Sequence, residues 1–251
     1  MYNPHVKIPL VQSLAWSFQW SAAVVLRHPK VLAIYVGAGV VCAFLWFVAP
    51  GVGSILDFLY TLALIPLALL THNEILRGPS HLDAQTLGEG YGRVLGYLLD
   101  VVVLGVVAAL SAIVPALLIS LAFMEQSSNY MSTGAALLLF GVIVVAIIVA
   151  TSRLALRLPA RAIGSLISWR EAWSMGEGHM LALCAGPIAI ALVFSVVLGG
   201  AYALLPNSME ALVSMLVSPA QVIVTCAFLS VAYGQLRQTP AAPPAAGKAA
   251  D

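Results

Sequence analysis

The chain has 251 residues, of which 61% are hydrophobic and only 8% are charged. A soluble domain carries about 25% charged residues, so this chain has too few charges to cover a surface that faces water. Its formal net charge of +1, with no run of Lys and Arg, argues against nucleic acid as a partner. The composition therefore predicts an all-α, polytopic membrane protein.

Six stretches are long and apolar enough to cross a bilayer as helices, which takes about 20 residues each. They run approximately over Val31–Pro50, Ser54–Leu70, Val94–Met124, Gly134–Leu156, Met180–Leu205 and Ala211–Tyr233. The third is too long for one upright span, so we expect it to tilt, to bend at Pro115 or to extend beyond the membrane. We predict an interfacial segment over residues 1–30, a six-span bundle over 31–237 and a disordered Pro/Ala tail over 238–251.

All eleven Lys and Arg residues lie on one side of the predicted bundle. They precede the first span, occupy the second and fourth connections, end the fourth span or follow the sixth. The other three connections, at 51–53, 125–133 and 206–210, contain no basic residue. Because basic residues accumulate on the cytoplasmic side of membrane proteins, we expect both termini in the cytoplasm.

A short pattern recurs along the chain. Leu-Arg pairs end each even-numbered span at intervals of 80 residues, at 76–77, 156–157 and 236–237. A Gly-Glu-Gly sequence before the third span, at 88–90, reappears before the fifth span at 176–178. We predict three repeats, each an interfacial segment followed by a helix pair. The alternative is that each Leu-Arg pair is an ordinary helix-end anchor and that the spacing is a coincidence.

Tryptophans lie in pairs outside the predicted spans, four residues apart: Trp16 with Trp20, and Trp169 with Trp173. Residues four apart share one helical face, and indole prefers the headgroup region of a membrane. We therefore predict that all four are interface anchors on helices Leu10–Arg27 and Ser165–Met175, which would lie along the membrane surface. The alternative is that these segments are short elements packed on the bundle.

Asp100 is the charged residue most clearly buried by this arrangement, because it follows Arg93 by seven residues, about 10 Å along a helix. An unpaired carboxylate at that depth is costly and should find a cationic partner. Arg153 and Arg157 on the fourth span are candidates, and we predict that Asp100 pairs with Arg153 and links two neighbouring spans. The alternative is a functional role, in which Asp100 serves a proton or anion relay.

Three arginines, Arg153, Arg157 and Arg161, lie four residues apart at the end of the fourth span. Such a stripe at a membrane surface can hold phosphate headgroups of anionic lipids through charge-assisted hydrogen bonds. It can equally be a set of ordinary anchors whose long side chains reach the headgroup region. Both interpretations remain open from the sequence.

Motifs for catalysis or metal binding are missing from the sequence. It has no nucleophile elbow, no phosphate-binding Gly-rich loop and no His-Glu-x-x-His motif. His72 and Glu74 are two residues apart and do not share a helical face, and no second pair has the spacing of metal ligands. We therefore expect no enzymatic activity, no catalytic residue, no cofactor and no metal.

The stretch Leu156–Gly164, followed by Glu171-Ala172-Trp173 and Gly176, resembles a group of uncharacterised bacterial inner-membrane proteins. These are similar to YciC and to the membrane domain fused to some glycerophosphodiester phosphodiesterases. The alternation of interfacial segments with pairs of spans adds to the resemblance, which covers nearly the whole chain. It implies a six-span helical protein of the bacterial inner membrane. No phosphodiesterase domain is present, so no catalysis is implied.

Two functions from different classes follow from these features. The first is a non-enzymatic membrane module that packs with partner proteins, with a second copy or with lipids, including anionic headgroups, and supports assembly or the envelope. The second is a small transporter or permease with a polar site around Asp100. Prolines within four predicted spans favour the second function, because transporters expose their backbone at broken helices. These prolines are Pro66, Pro115, Pro187 and Pro219.

Overall fold

The structure is a computed structural model that describes residues 8–78, 90–125, 130–206 and 209–237. All regular structure in these residues is helical, and one 3-10 turn lies at Pro50–Val52. The predicted disordered tail and most of the first Gly-Glu-Gly sequence lie outside the described residues. The α-helices are α1 Leu10–Arg27, α2 Pro29–Val48, α3 Gly53–Ala63, α4 Ile65–Arg77, α5 Gly90–Glu125, α6 Tyr130–Leu154, α7 Arg157–Ala162, α8 Trp169–Met175, α9 Met180–Leu204 and α10 Glu210–Leu236.

Six helical stretches in the described residues are long and apolar enough to cross a membrane. Two of them combine neighbouring helices: α3 with α4, and the end of α6 with α7. The stretches are Pro29–Val48, Gly53–Arg77, Gly92–Leu110, Gly141–Ala162, Met180–Leu204 and Glu210–Leu236. They confirm the predicted all-α fold with six spans, and they make the chain a multi-pass membrane protein.

Proline breaks the second span but not the fifth or the sixth. Pro66 lies in the first turn of α4, and the preceding Leu64 donates its N–H back to two carbonyls in the last turn of α3. Proline lacks an N–H, and its ring excludes the carbonyl four residues earlier, so α3 cannot continue unchanged. By contrast, α9 and α10 continue through Pro187 and Pro219, as membrane helices commonly do.

The last helix, α10, is the centre of the bundle and contacts α1, α2, α4, α7 and α9. Around it, α5 packs on α4 and α6, and α6 packs on α9. Helix α9 approaches α10 closely at Gly186, where an added Cβ would lie 2.0 Å from the ring of Phe228. Inside a membrane, helices associate through such close packing, because lipid tails are as apolar as the side chains themselves.

Most fully buried side chains lie at one end of the bundle, which we call the basic end. It comprises residues 10–30, the last turns of α4, residues 90–100 of α5, residues 151–180, and the last turns of α10 with Arg237. The leucines of the three Leu-Arg pairs meet there, with Leu156 and Leu236 fully buried and Leu76 packed against them. The arrangement of the chain as three repeats stays a prediction.

Helix α1 has the predicted bounds, and its serine-rich face packs on the bundle. Ser13, Ser17 and Ser21 follow one another at intervals of four residues and are buried, and Ser13 donates to Gln235 Oε1 at 3.1 Å. Trp20 is buried with residues of α4 and α10. Trp20 is thus a core residue rather than an interface anchor, while Trp16 is half-buried against the same cluster.

Helix α8 is shorter than the predicted helix Ser165–Met175, because it begins only at Trp169. Ser168 precedes it in an extended conformation, and its hydroxyl accepts a hydrogen bond from the Glu171 N–H at 3.1 Å. This side-chain cap starts the helix there, since it satisfies one of the N–H groups that have no partner within the first turn. Residues 165–168 are therefore a connection and not helical.

Candidate functional site

Asp100 is buried at the basic end, with 1% of its surface exposed. Arg157 Nε donates to its Oδ2 at 3.0 Å, and Arg161 Nε lies 3.4 Å from the same oxygen. The prediction that Asp100 pairs with Arg153 is wrong. Pro159 prevents α6 from continuing, the chain turns at residues 155–156, and the new helix α7 directs the two later arginines toward α5.

The excess of guanidinium groups around Asp100 sets the charge of this cluster. A carboxylate in a buried position is tolerated when charged partners and hydrogen bonds replace its hydration. One carboxylate faces two guanidinium groups here, those of Arg157 and Arg161. These three side chains, Asp100, Arg157 and Arg161, together carry one net positive charge.

The predicted arginine stripe and the second tryptophan pair come together in the structure. The Arg153 guanidinium lies 4.2 Å from the ring centroid of Trp173, and its Nε donates to the Trp173 carbonyl at 3.1 Å. The Arg157 guanidinium lies 4.2 Å from the ring centroid of Trp169. Each stack contributes about 0.5–2 kcal/mol, depending on its exposure to solvent. The two arginines and the two tryptophans are each four residues apart in the sequence, and this matching spacing is the signal that could have predicted the contact.

A partly open pocket of about 320 Å³ lies beside the Asp100 cluster. It is lined by Gly92, Arg93, Arg161, Gly164 and Leu166. Gly164 has a φ of +74°, which glycine adopts easily, and an added Cβ there would lie 3.2 Å from Arg93 Nε. The pocket therefore combines two guanidinium groups with backbone and one aliphatic side chain, which suits an anion rather than a cation.

Glu74 forms a second buried ion pair, which was not predicted from the sequence. Its Oε1 accepts a hydrogen bond from Arg27 Nη1 at 2.7 Å, and its Oε2 lies 2.5 Å from His28 Nε2. The carboxylate is fully buried and fixes the corner between α1 and α2 against α4. The signal was available in the topology, which places the start of span one and the end of span two on the same side.

His72 connects three helices through its two ring nitrogens. Its Nδ1 lies 2.7 Å from Ser230 Oγ on α10, and its Nε2 lies 3.1 Å from the Tyr97 hydroxyl on α5. A neutral imidazole has one donor and one acceptor, so these two hydroxyls satisfy it completely. The arrangement links α4, α5 and α10 and offers no unpaired group for a reaction.

The described residues contain few side chains suited to bind a metal ion together or to act as activated nucleophiles. No group of three or more His, Cys, Asp or Glu side chains there could hold a metal ion. The three cysteines are free, and the most buried of them, Cys226, lies inside α10. The arginines of the basic end can bind anions through charge-assisted hydrogen bonds.

His179 lies just before α9, outside the predicted and observed spans. The side chain is buried, and its Nε2 has no hydrogen-bond partner. Burial disfavours the charged form of imidazole and lowers the pKa of His179 from its ordinary value of 6.5. The folded protein therefore favours neutral His179.

The interface anchoring of Trp16, Trp169 and Trp173 stays a prediction, as does the resemblance to the YciC group. Compared with protein-family models, with curated proteins and with solved structures, the chain matches none of them.

Proposed function

We propose that the protein is a non-enzymatic membrane module that packs laterally with lipids or with partner membrane proteins. The distribution of burial among the spans carries this proposal. In the most apolar windows of spans one, three and four only 11% of the residues are buried, whereas 44% are buried in the sixth span. The protein thus has a packed centre and a broad apolar flank that other apolar surfaces can cover.

The transport alternative has less support from the described residues. A transported ion or substrate needs a polar group that it can reach near the middle of the membrane. Asp100 is buried and engaged by Arg157 and Arg161, and His72 is satisfied by its two hydroxyl partners. We propose that these groups hold helices together.

We further propose that the basic end faces the cytoplasm of a bacterial cell, with the protein in the inner membrane. The basic residues of the described chain lie at this end, and the positive-inside bias orients membrane proteins accordingly. Fusion of a periplasmically active reporter after Asp251 should give no activity, and fusion at Gln126 should give activity. The reverse pattern would contradict the proposed orientation.

Photo-crosslinking from the apolar flank tests the packing function. A benzophenone side chain at Phe47, which is 64% exposed on α2, should form crosslinks to lipid or to another protein in native membranes. The same probe at Trp20, where it has a similar volume and is buried, should react only within the chain. Crosslinks within the chain alone from position 47 would contradict the proposal.

A further inference from the structure

The pocket beside Asp100 continues into an apolar surface. Gly92 lines the pocket, and Leu95 and Leu99 follow it at three and seven residues on the same face of α5. Leu95 is 66% exposed and Leu99 is 58% exposed, and Leu166, on the other wall of the pocket, is 76% exposed. A path of exposed aliphatic side chains therefore runs from the arginines along a membrane span.

The pocket and the apolar surface beside it are together complementary to an amphiphilic anion. The guanidinium groups of Arg93 and Arg161 line one part of the pocket. Among the described side chains, Asp100, Arg157 and Arg161 together carry one net positive charge, because one carboxylate faces two guanidinium groups. A ligand with a negative head and an aliphatic body would match both parts at once.

We propose that this pocket binds the phosphate of an anionic glycerophospholipid headgroup, with an acyl chain along Leu95 and Leu99. The proposal rests on the proposed lateral packing with lipids and gives it one defined site. The pocket volume of about 320 Å³ is within the range of small-molecule sites and accommodates a headgroup rather than a whole lipid. The acyl chain remains in the bilayer beside α5.

The position of the arginines explains why the ligand should be anionic. Arg161 is restrained on two sides. Its Nε lies 3.4 Å from Asp100 Oδ2, and its guanidinium packs so closely on Gly96 of α5 that a Cβ added there would lie 2.7 Å from Nε. Its guanidinium is therefore held in place before any ligand arrives. Held donors lose little side-chain entropy on binding, so they favour a phosphate over a zwitterionic headgroup, whose own cation would meet the same arginines.

Binding is measured with the full-length protein in mild detergent, by native mass spectrometry with added lipid. Phosphatidylglycerol and phosphatidylcholine with identical acyl chains are titrated separately. We expect phosphatidylglycerol to bind at least about fivefold more tightly, since one charge-assisted hydrogen bond changes an affinity by about this factor or more. Equal binding of the two lipids would overturn the proposal.

Two variants change the pocket without touching the Asp100 ion pairs. Arg93→Gln removes one guanidinium group, and Gly92→Glu adds a carboxylate at a position where an added Cβ meets no atom within 4 Å. Each should weaken phosphatidylglycerol binding at least about fivefold and leave phosphatidylcholine binding unchanged. If Arg93→Gln lowers the melting temperature, the comparison is made with Gly92→Glu alone.

Matched control variants carry the same charge changes elsewhere at the basic end. Arg170→Gln removes an exposed guanidinium group on α8, and Gln19→Glu adds a carboxylate on the exposed face of α1. Both controls should bind phosphatidylglycerol as the unchanged protein does. Equal losses in the controls and in the pocket variants would overturn the site, because a general effect of net charge would then explain them.

Inorganic phosphate and the deacylated headgroup, glycerophosphoglycerol, separate a lipid from a soluble phosphate. Neither should displace phosphatidylglycerol at equal concentration, because neither can use the aliphatic path on α5. Displacement by either would overturn the lipid assignment. Failure of the pocket with continued crosslinking from Phe47 would leave the lateral packing function intact, so the two proposals can fail separately.

Discussion

The basic end and the apolar halves of the same helices are held together in different ways. At the basic end, His72, Glu74 and Asp100 enter the protein interior, and each is met by side chains from other helices. In the apolar halves, α2, α3 and α9 leave large aliphatic and aromatic side chains exposed. The first region has partners that only this chain supplies, and the second has partners that lipid could replace.

This difference follows from the solvent. An apolar side chain gains little when it leaves lipid for another helix, because both surroundings are apolar. A buried carboxylate or imidazole without its partner costs several kcal/mol. The polar contacts of the basic end therefore determine which helices meet. Packing in the apolar halves then stabilises that arrangement further.

The largest expected effect is at the Asp100 cluster. Arg157→Gln leaves Asp100 with Arg161 alone and removes the stack on Trp169, so it should lower the free energy of unfolding in detergent by about 3 kcal/mol. Asp100→Asn combined with Arg157→Gln should lose clearly less than the sum of the two single losses. The free energy of unfolding of the two single variants and of the double variant is measured by heat or denaturant.

The same double-variant cycle with Arg153 is the control. Arg153 stacks on Trp173, so its loss and the loss of the Asp100 charge should simply add. A coupling between Asp100 and Arg153 as large as that between Asp100 and Arg157 would contradict the observed pairing.

A smaller effect is expected from adding a methyl group at two glycines, one packed against a neighbouring helix and one exposed on α2. Gly186→Ala places a methyl group against the ring of Phe228 and should lower the free energy of unfolding by about 1–3 kcal/mol. Gly37→Ala, on an exposed part of α2 with no atom within 4 Å, should not lower it. Equal losses in both variants would show that the contact between α9 and α10 is not tighter than the lipid contact of α2.

The smallest effect concerns pH and is confined to the basic end. Burial lowers the pKa of His179 in the folded protein, so protonation favours the unfolded state. This contribution to stability is fully present above pH 6.5 and is lost as the pH falls from there through the lowered pKa. The melting temperature of the unchanged protein should fall more between about pH 7.5 and pH 5 than that of His179→Gln. An identical fall in both would contradict this role.

The spans could be predicted from the sequence because their signal is additive along the chain. The sixth was predicted at Ala211–Tyr233 and is observed at Glu210–Leu236, and the first was predicted at Val31–Pro50 and is observed at Pro29–Val48. Each apolar residue adds to the cost of leaving lipid, so errors at single positions cancel.

The pairing of side chains could not be predicted in the same way, because it depends on direction. Counting residues from Asp100 assumed one continuous fourth span, and the break before Pro159 turned the later arginines toward α5. The buried face of α1 was also not predicted. The hydroxyls of Ser17 and Ser21 donate to carbonyls four residues earlier in α1, so these small polar side chains can pack closely against the bundle.

The central position of α10 has a consequence for how the protein is made. His72 on α4 emerges from the ribosome 158 residues before its partner Ser230 on α10. At a synthesis rate of about 5–20 residues per second, Ser230 is made roughly 10–30 s after His72, and the imidazole lacks this hydroxyl partner until then. During that time α1, α2 and α4 also lack the helix on which all three pack. Before α10 is made, the ion pairs of Glu74 with Arg27 and His28 already connect α1 and α2 to α4. The bundle closes only after its last span enters the membrane.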